Sequence, residues 1–318
     1  MPRVYVTRQI PRAGLDLLAE TCELDVWDGA LPPSPEELRR GVAEADALVS
    51  LLTDPVTEQV IAAAPRLKVI ANYAVGYENV DIAAANARGI VVTNTPDALT
   101  ETTADFAWAL MLAAARRIPE GVEFVRAGHW RTWGPELLLG PDVWGATLGL
   151  VGLGRIGSAV ARRAQGFQMP VLYHTPTPHP EAQDLATWAE LDELLARADF
   201  VSIHTPLTAK TRGLIDARRL ALMKPGVVLV NTARGPIVDS AALYEALRGG
   251  KIFAAGLDVT DPEPLPAGHP LLSLPNCLVV PHIASASYAT RERMAIMCAR
   301  NALAVLGGEP APNAVNSE

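Results

Sequence analysis

Residues 147–164 read Thr-Leu-Gly-Leu-Val-Gly-Leu-Gly-Arg-Ile-Gly-Ser-Ala-Val-Ala-Arg-Arg-Ala. The apolar run ending at Val151 predicts a strand, and Ser158 to Ala164 predicts a helix, so Gly152, Gly154 and Gly157 fill a strand-to-helix turn. In that setting the spacing Gly-x-Gly-x-x-Gly is a dinucleotide fingerprint, whereas alone it is only a glycine pattern. Gly152 permits the tight turn, Gly154 lets the backbone approach a pyrophosphate, and Gly157 allows close helix packing. The helix start adds amide donors and a partial positive charge.

Working outward, further strands are predicted at Pro170–Tyr173, Phe200–Ile203, Val227–Asn231, Ala254–Asp258 and Leu278–Val280, with helices between several of them. Together with 147–151 these make the six strands of a dinucleotide-binding sheet. Upstream, Val4–Thr7, Glu23–Trp27, Ala47–Ser50 and Lys68–Ala71 alternate with helical stretches near 12–20, 34–44 and 57–63, which predicts a smaller α/β unit. Thr93-Asn94-Thr95-Pro96 interrupts the pattern, and a long Ala/Leu-rich helix over 100–117, with Thr100 as N-cap, is expected to bridge into the second domain. A final helix near 288–306 is expected to return to the first domain. The fold predicted is α/β: a Rossmann-type doubly wound parallel sheet inserted into a smaller flavodoxin-like α/β domain.

A length of 318 residues agrees with two domains. With 49% hydrophobic and 19% charged residues and a formal net charge of −8, the composition is that of a soluble globular chain and lacks the basic footprint of a nucleic-acid or anionic-membrane binder. Cys22, Cys277 and Cys298 form no close pair and no metal-ligand spacing, so neither a disulfide framework nor a metal site is expected, and a reducing cytoplasm fits. The N-terminus has no signal-peptide pattern, and the longest uncharged helical run, 106–115, is too short to span a membrane. Only four of the 27 basic residues are lysines.

Three strand ends deliver chemistry. Arg234 follows 227–231 in Asn-Thr-Ala-Arg-Gly, Glu263 lies in Asp-Val-Thr-Asp-Pro-Glu-Pro (258–264), and His282 lies in Pro-His-Ile (281–283). Open α/β sheets bind ligands beyond the carboxyl ends of their strands. Arg presents a planar fork matched to a carboxylate, His titrates near neutrality, and a neighbouring Glu fixes its tautomer and favours its protonated form. Singly, each has a plain structural reading: a loop cap, a solvated acid, a packed histidine. Together they suggest an acid/base site for a 2-oxo or 2-hydroxy acid. Among the other histidines only His179 is a candidate ligand.

The order of the glycine loop, Asn-Thr-Ala-Arg-Gly, Gly-Leu-Asp-Val-Thr-Asp-Pro-Glu-Pro and Pro-His-Ile resembles the D-2-hydroxyacid dehydrogenases over most of the chain. Within them it looks most like the glyoxylate/hydroxypyruvate reductases, on the strings 256–269 and Trp130-Arg131-Thr132-Trp133. The resemblance implies a dinucleotide-binding domain over 99–287, inserted into a discontinuous substrate domain of 1–98 and 288–318, with the active site in the cleft between. It makes His282 the general acid, Glu263 its orienting partner and Arg234 the grip on the substrate. It places the substrate carboxylate on the amides of Val75 and Gly76, with Leu52 lining the pocket and Trp133 contributed by the neighbouring subunit of a homodimer. Thr103, Arg155, Ile156, Thr205, Thr232 and Asp258 match cofactor-touching positions, along with the glycine loop and His282. Ala284 replaces the usual glycine and crowds the nicotinamide side.

The expected activity is therefore NAD(P)H-dependent reduction of glyoxylate and hydroxypyruvate to glycolate and D-glycerate. Alternatives are a dehydrogenase of another D-2-hydroxy acid or a corepressor-like nucleotide sensor; no room is seen for the regulatory domain frequent in phosphoglycerate dehydrogenases. For cofactor choice, Thr175 occupies the position where an Asp or Glu would bond the ribose 2′-hydroxyl of NAD. Thr175, Thr177 and His179 are expected to hold a 2′-phosphate without a firm ion pair, giving NADP(H) use with NAD(H) also accepted.

Overall fold

The computed structural model describes residues 1–316. It divides into two compact units, one built from Met1–Leu99 and the chain from Ala286 onward, the other from Thr100–Ser285. In the first lie β1 (Arg3–Val6), α1 (Arg12–Ala19), β2 (Glu23–Val26), α2 (Pro35–Val42), β3 (Ala47–Ser50), α3 (Glu58–Ala62), β4 (Val69–Asn72), α4 (Ile82–Ala87) and β5 (Val91–Thr93). The second holds α5 (Thr100–Ala115), α6 (Ile118–Arg126), β6 (Leu148–Val151), α7 (Arg155–Ala164), β7 (Val171–His174), β8 (Thr187–Trp188), α8 (Leu191–Arg197), β9 (Phe200–Ile203), α9 (Ala217–Leu222), β10 (Val227–Asn231), α10 (Ser240–Arg248), β11 (Ile252–Leu257) and β12 (Cys277–Val279). The last helix, α11 (Tyr288–Leu306), belongs to the first unit.

The first unit carries a parallel sheet ordered β2-β1-β3-β4-β5, the flavodoxin-like order. Its inner strands β3 and β4 are buried at every residue, as expected of strands covered on both faces, while edge strand β2 alternates exposed and half-buried positions. One layer of its core sets Leu15 and Leu18 of α1 against Met294, Cys298 and Ala302 of α11. Ser34 starts α2 with a capping box: its hydroxyl accepts from Glu37 N and its own N–H donates to the Glu37 carboxylate, ahead of Pro35.

The second unit carries seven strands ordered β12-β11-β10-β9-β6-β7-β8. Counted from β6, this is the Rossmann arrangement with one strand added at the far edge. Helix α5 lays Ala104, Ala107, Trp108 and Met111 into one core layer with Leu148, Leu150 and Val160, and the Trp108 ring stacks on Phe167 at 4.6 Å.

Several expected elements are corrected. Thr100 is the first residue of α5 rather than its cap, and α5 ends at Ala115 because Arg117 adopts a left-handed backbone before α6 begins. Helix α7 starts at Arg155, three residues before Ser158, so the last three residues of the glycine motif are already helical. The pair α4 and β5, and the two-residue β8, are additions to the expected elements. Strand β5 occupies Val91–Thr93, so the interruption is confined to Asn94–Pro96.

Candidate active site

The glycine turn between β6 and α7 is built for close approach. Gly152 has φ +103°, and a Cβ there would overlap the backbone of His204 and Thr205; a Cβ on Gly157 would run into the Gly152 carbonyl. By contrast, a Cβ on Gly154 would meet nothing within 4 Å, so the outer side of the turn is open. Helix α7 has no side-chain cap, which leaves first-turn amides such as that of Ile156 for another acceptor. The Thr232 hydroxyl, beyond β10, is buried with no partner. His204, behind the turn, bonds Ser202 Oγ through Nε2 at 2.8 Å, and burial pushes its imidazole down to about 4, so it stays neutral. An open amide cradle at a helix start fits the pyrophosphate of a dinucleotide, and the orphaned Thr232 hydroxyl lies beyond the same end of the parallel sheet.

The loop after β7 carries Thr175, Thr177 and His179. The buried Tyr173 hydroxyl accepts from His179 N at 2.8 Å and donates to His179 O at 3.2 Å, and Trp188 Nε1 donates to Thr175 O at 3.1 Å. Thr175 Oγ1 donates to Thr177 O at 2.7 Å, so its single proton is engaged and its oxygen is left as an acceptor. Glu181 lies 3.9 Å from the His179 ring.

Adjacent strands β10, β11 and β12 bring Arg234, Glu263 and His282 to one end of the sheet. His282 Nδ1 and Glu263 Oε1 are 2.6 Å apart. Burial alone would raise the Glu263 carboxyl, but the bond and charge of His282, the Thr260 N–H and the charge of Arg234 outweigh it and hold Glu263 below the usual carboxylate range. Arg234 Nη1 bonds Ala233 O at 2.7 Å. Gly235 lets the two loops meet, because a Cβ there would overlap the Thr260 carbonyl.

His282 has φ +54°, a left-handed backbone uncommon for a side-chain-bearing residue. Asp258 imposes it. The Asp258 carbonyl accepts from His282 N at 2.9 Å, and its carboxylate accepts from Ile283 N at 2.6 Å and Ala284 N at 2.9 Å. Burial raises the Asp258 carboxyl above its ordinary range, and those two N–H bonds pull against the rise. Asp258, expected as a cofactor contact, also locks the histidine turn.

In the first unit Leu52 follows β3 and is 36% exposed, and Val75 and Gly76 follow β4. Among the described residues neither the Val75 nor the Gly76 N–H has a hydrogen-bond partner. Thr103 is buried in α5, Thr205 is half-buried just beyond β9, and Ala284 is buried. Trp133 is not gathered with the catalytic candidates: it is 79% exposed in the single chain. Among the described residues no group of His, Cys, Asp or Glu could hold a metal ion, and no helix is long and apolar enough to cross a membrane.

Residues 108–284 match the family model described as "D-isomer specific 2-hydroxyacid dehydrogenase, NAD binding domain". The chain belongs to that family. It is 52% identical to a glyoxylate reductase of Korarchaeum cryptofilum over 320 residues, covering 100% of this chain and 96% of that one. The crystal structure of a Thermus thermophilus protein, 53% identical, superposes with a TM-score of 0.94 over 98% of this chain and 99% of that one. An NADPH-dependent glyoxylate/hydroxypyruvate reductase of Sinorhizobium meliloti, solved with NADP and malonate, is 37% identical with a TM-score of 0.87, covering 99% and 96%. This D-2-hydroxyacid dehydrogenase thus uses a nicotinamide dinucleotide, and its fold is that of the family. Two features of its site escape motif reading: the turn lock at Asp258, and Gly235, whose need appears only when the Thr260 loop is in place.

Proposed function

We propose that the protein reduces glyoxylate and hydroxypyruvate to the 2-hydroxy acids, with His282 as general acid. The observation that carries this is the 2.6 Å contact of His282 Nδ1 with Glu263 on a turn locked by Asp258. With Nδ1 committed to the carboxylate, Nε2 is the atom that gives its proton to the carbonyl oxygen. Arg234 holds the carboxylate and polarises the carbonyl, and Val75 and Gly76 offer it their open N–H groups. The dinucleotide, when bound, supplies the hydride. The names of the relatives above support this substrate class. In this reading Thr100–Ser285 is the dinucleotide-binding domain, and the remainder is the substrate domain.

Cofactor preference follows from the β7 loop. No acid lies between Thr175 and Glu181 to repel a 2′-phosphate, yet Thr175 offers an acceptor and no arginine follows it. The proposed enzyme therefore uses NADPH with only modest preference and accepts NADH. Trp130, Trp133, Leu139 and Trp144 are all exposed within one short stretch of sequence, which supports a homodimer with Trp133 reaching the partner's site. A cytoplasmic setting fits its thiols, Cys22, Cys277 and Cys298 all being free. The test is a panel of 2-oxo acids assayed with both cofactors. Oxidation of NADPH on adding glyoxylate or hydroxypyruvate is expected; inactivity with every acid rejects the activity, and a kcat/KM favouring NADH by more than about tenfold rejects the preference.

A further inference from the structure

We propose that Asn94, Asn72 and Asn79 are positioning residues that hold the substrate loop of the first unit from behind and thereby aim the N–H groups of Val75 and Gly76 at a carboxylate. This rests on the function proposed above. None of the three is assigned a role by the motifs; Asn94 sits in the Asn-Thr-Pro stretch that interrupts the helix and strand pattern.

In a trans peptide the carbonyl and the following N–H point in opposite directions, so pinning one aims the other. Here three consecutive carbonyls are pinned. Ala74 O accepts from Thr95 N at 2.8 Å, Val75 O from Asn94 Nδ2 at 2.8 Å, and Gly76 O from Asn72 Nδ2 at 2.9 Å. Pinning Ala74 O and Val75 O turns the Val75 and Gly76 N–H groups away from the scaffold, the bond to Gly76 O holds the far end of the loop, and among the described residues neither of those two N–H groups has a hydrogen-bond partner.

The pinning groups are themselves tied down. Asn72 is fully buried, accepts from Ser50 Oγ at 3.0 Å and pairs with the Asn79 amide at 3.2 and 3.3 Å. Asn79 Nδ2 also donates to Leu51 O and Asp54 O, both at 3.0 Å, which joins the loop carrying Leu52 to the same network. The Asp54 carboxylate closes that loop on Leu51 N at 2.6 Å and on the Thr7 hydroxyl. On the other side, Asn94 O accepts from Asn301 Nδ2 of α11 at 3.0 Å. A buried network whose amides bond several backbone groups at once fixes direction as well as distance, which apolar packing does not do.

The experiment replaces Asn94 by Asp, equal in size but presenting an oxygen to Val75 O where Asn presented a proton. KM for glyoxylate is expected to rise about tenfold or more, with kcat at saturation within about threefold and the Kd for NADPH unchanged, as for lost binding that ground and transition states share. Asn94→Ser, which keeps a donor, should recover part of the loss, and is read in the same way should Asn94→Asp not fold. A wild-type KM in the folded variant overturns the proposal, as does an equal loss in KM, kcat and NADPH binding, the signature of a general structural defect. A crystal structure of the variant supplies a readout that needs no substrate: the Val75–Gly76 peptide is expected to rotate, and an unmoved peptide overturns the proposal. Were the wild type inactive with all 2-oxo acids, the functional reading would fall while the peptide orientation still decided the positioning.

Discussion

His282 owes its place to its own backbone more than to its side-chain contacts. A left-handed residue with a Cβ costs on the order of 1–3 kcal/mol and persists only where its surroundings over-determine it, and Asp258 does so with its carbonyl and both carboxylate oxygens. Replacing His282 by Ala removes the proton donor and leaves the glycine turn untouched, so kcat should fall about 10² to 10⁴-fold with NADPH affinity retained. Steady-state assays and fluorescence titration check both halves; a wild-type kcat refutes the role. Glu263 carries a pH signature in stability. Because its carboxyl is held below the usual range in the folded chain, its contribution is complete above the unfolded value of about 4.3 and is lost as pH falls through the folded value. The Tm of the wild type minus that of Glu263→Gln should therefore shrink as pH falls below about 4.3, and a difference that stays constant on acidification in thermal melts rejects the pairing.

At the scale of elements, what the sequence reveals is what repeats or punctuates. Buried parallel strands are continuous apolar runs, so β3, β6, β9 and β10 are legible to within a residue, and α11 at both of its ends. Strand β8 has two residues and β5 three, too short to show a period, and α4, Ile-Ala-Ala-Ala-Asn-Ala, has too little apolar contrast to mark a face. The same limit applies to the site. Arg234, Glu263 and His282 are legible as strand-end residues in recognisable strings, whereas Asp258 as turn lock and the asparagines behind Val75 act through tertiary hydrogen bonds that no local pattern encodes. Gly235 illustrates the difference: its string is visible, and its reason lies in the Thr260 loop. Gly235→Ala should force those loops apart, lowering stability by about 1–3 kcal/mol and reducing kcat as Glu263 shifts. Unchanged melting and turnover would mean the loops meet differently.

Over the whole molecule, the exposed aromatic stretch beyond α6 gives the association reading its weight. Trp133→Ala should weaken self-association and impair hydroxypyruvate reduction; sedimentation that finds a fully active wild-type monomer rejects the placement. The first unit is also assembled from both ends of the chain, with Met294, Ala295, Cys298, Ala299 and Ala302 of α11 completing the core begun by β1, α1 and β3. During synthesis, then, the strands that emerge first must wait, their apolar face uncovered, until all of Thr100–Ser285 has been made. Biosynthesis becomes a relay in which the later-made middle segment is the first able to fold. A fragment of residues 100–285 should give a cooperative melt on its own, and residues 1–99 should need residues 286–318 added in trans; a cooperative melt of 1–99 alone would contradict that order. Any partner that shields newly made chains should accordingly meet the amino-terminal strands for the longest time.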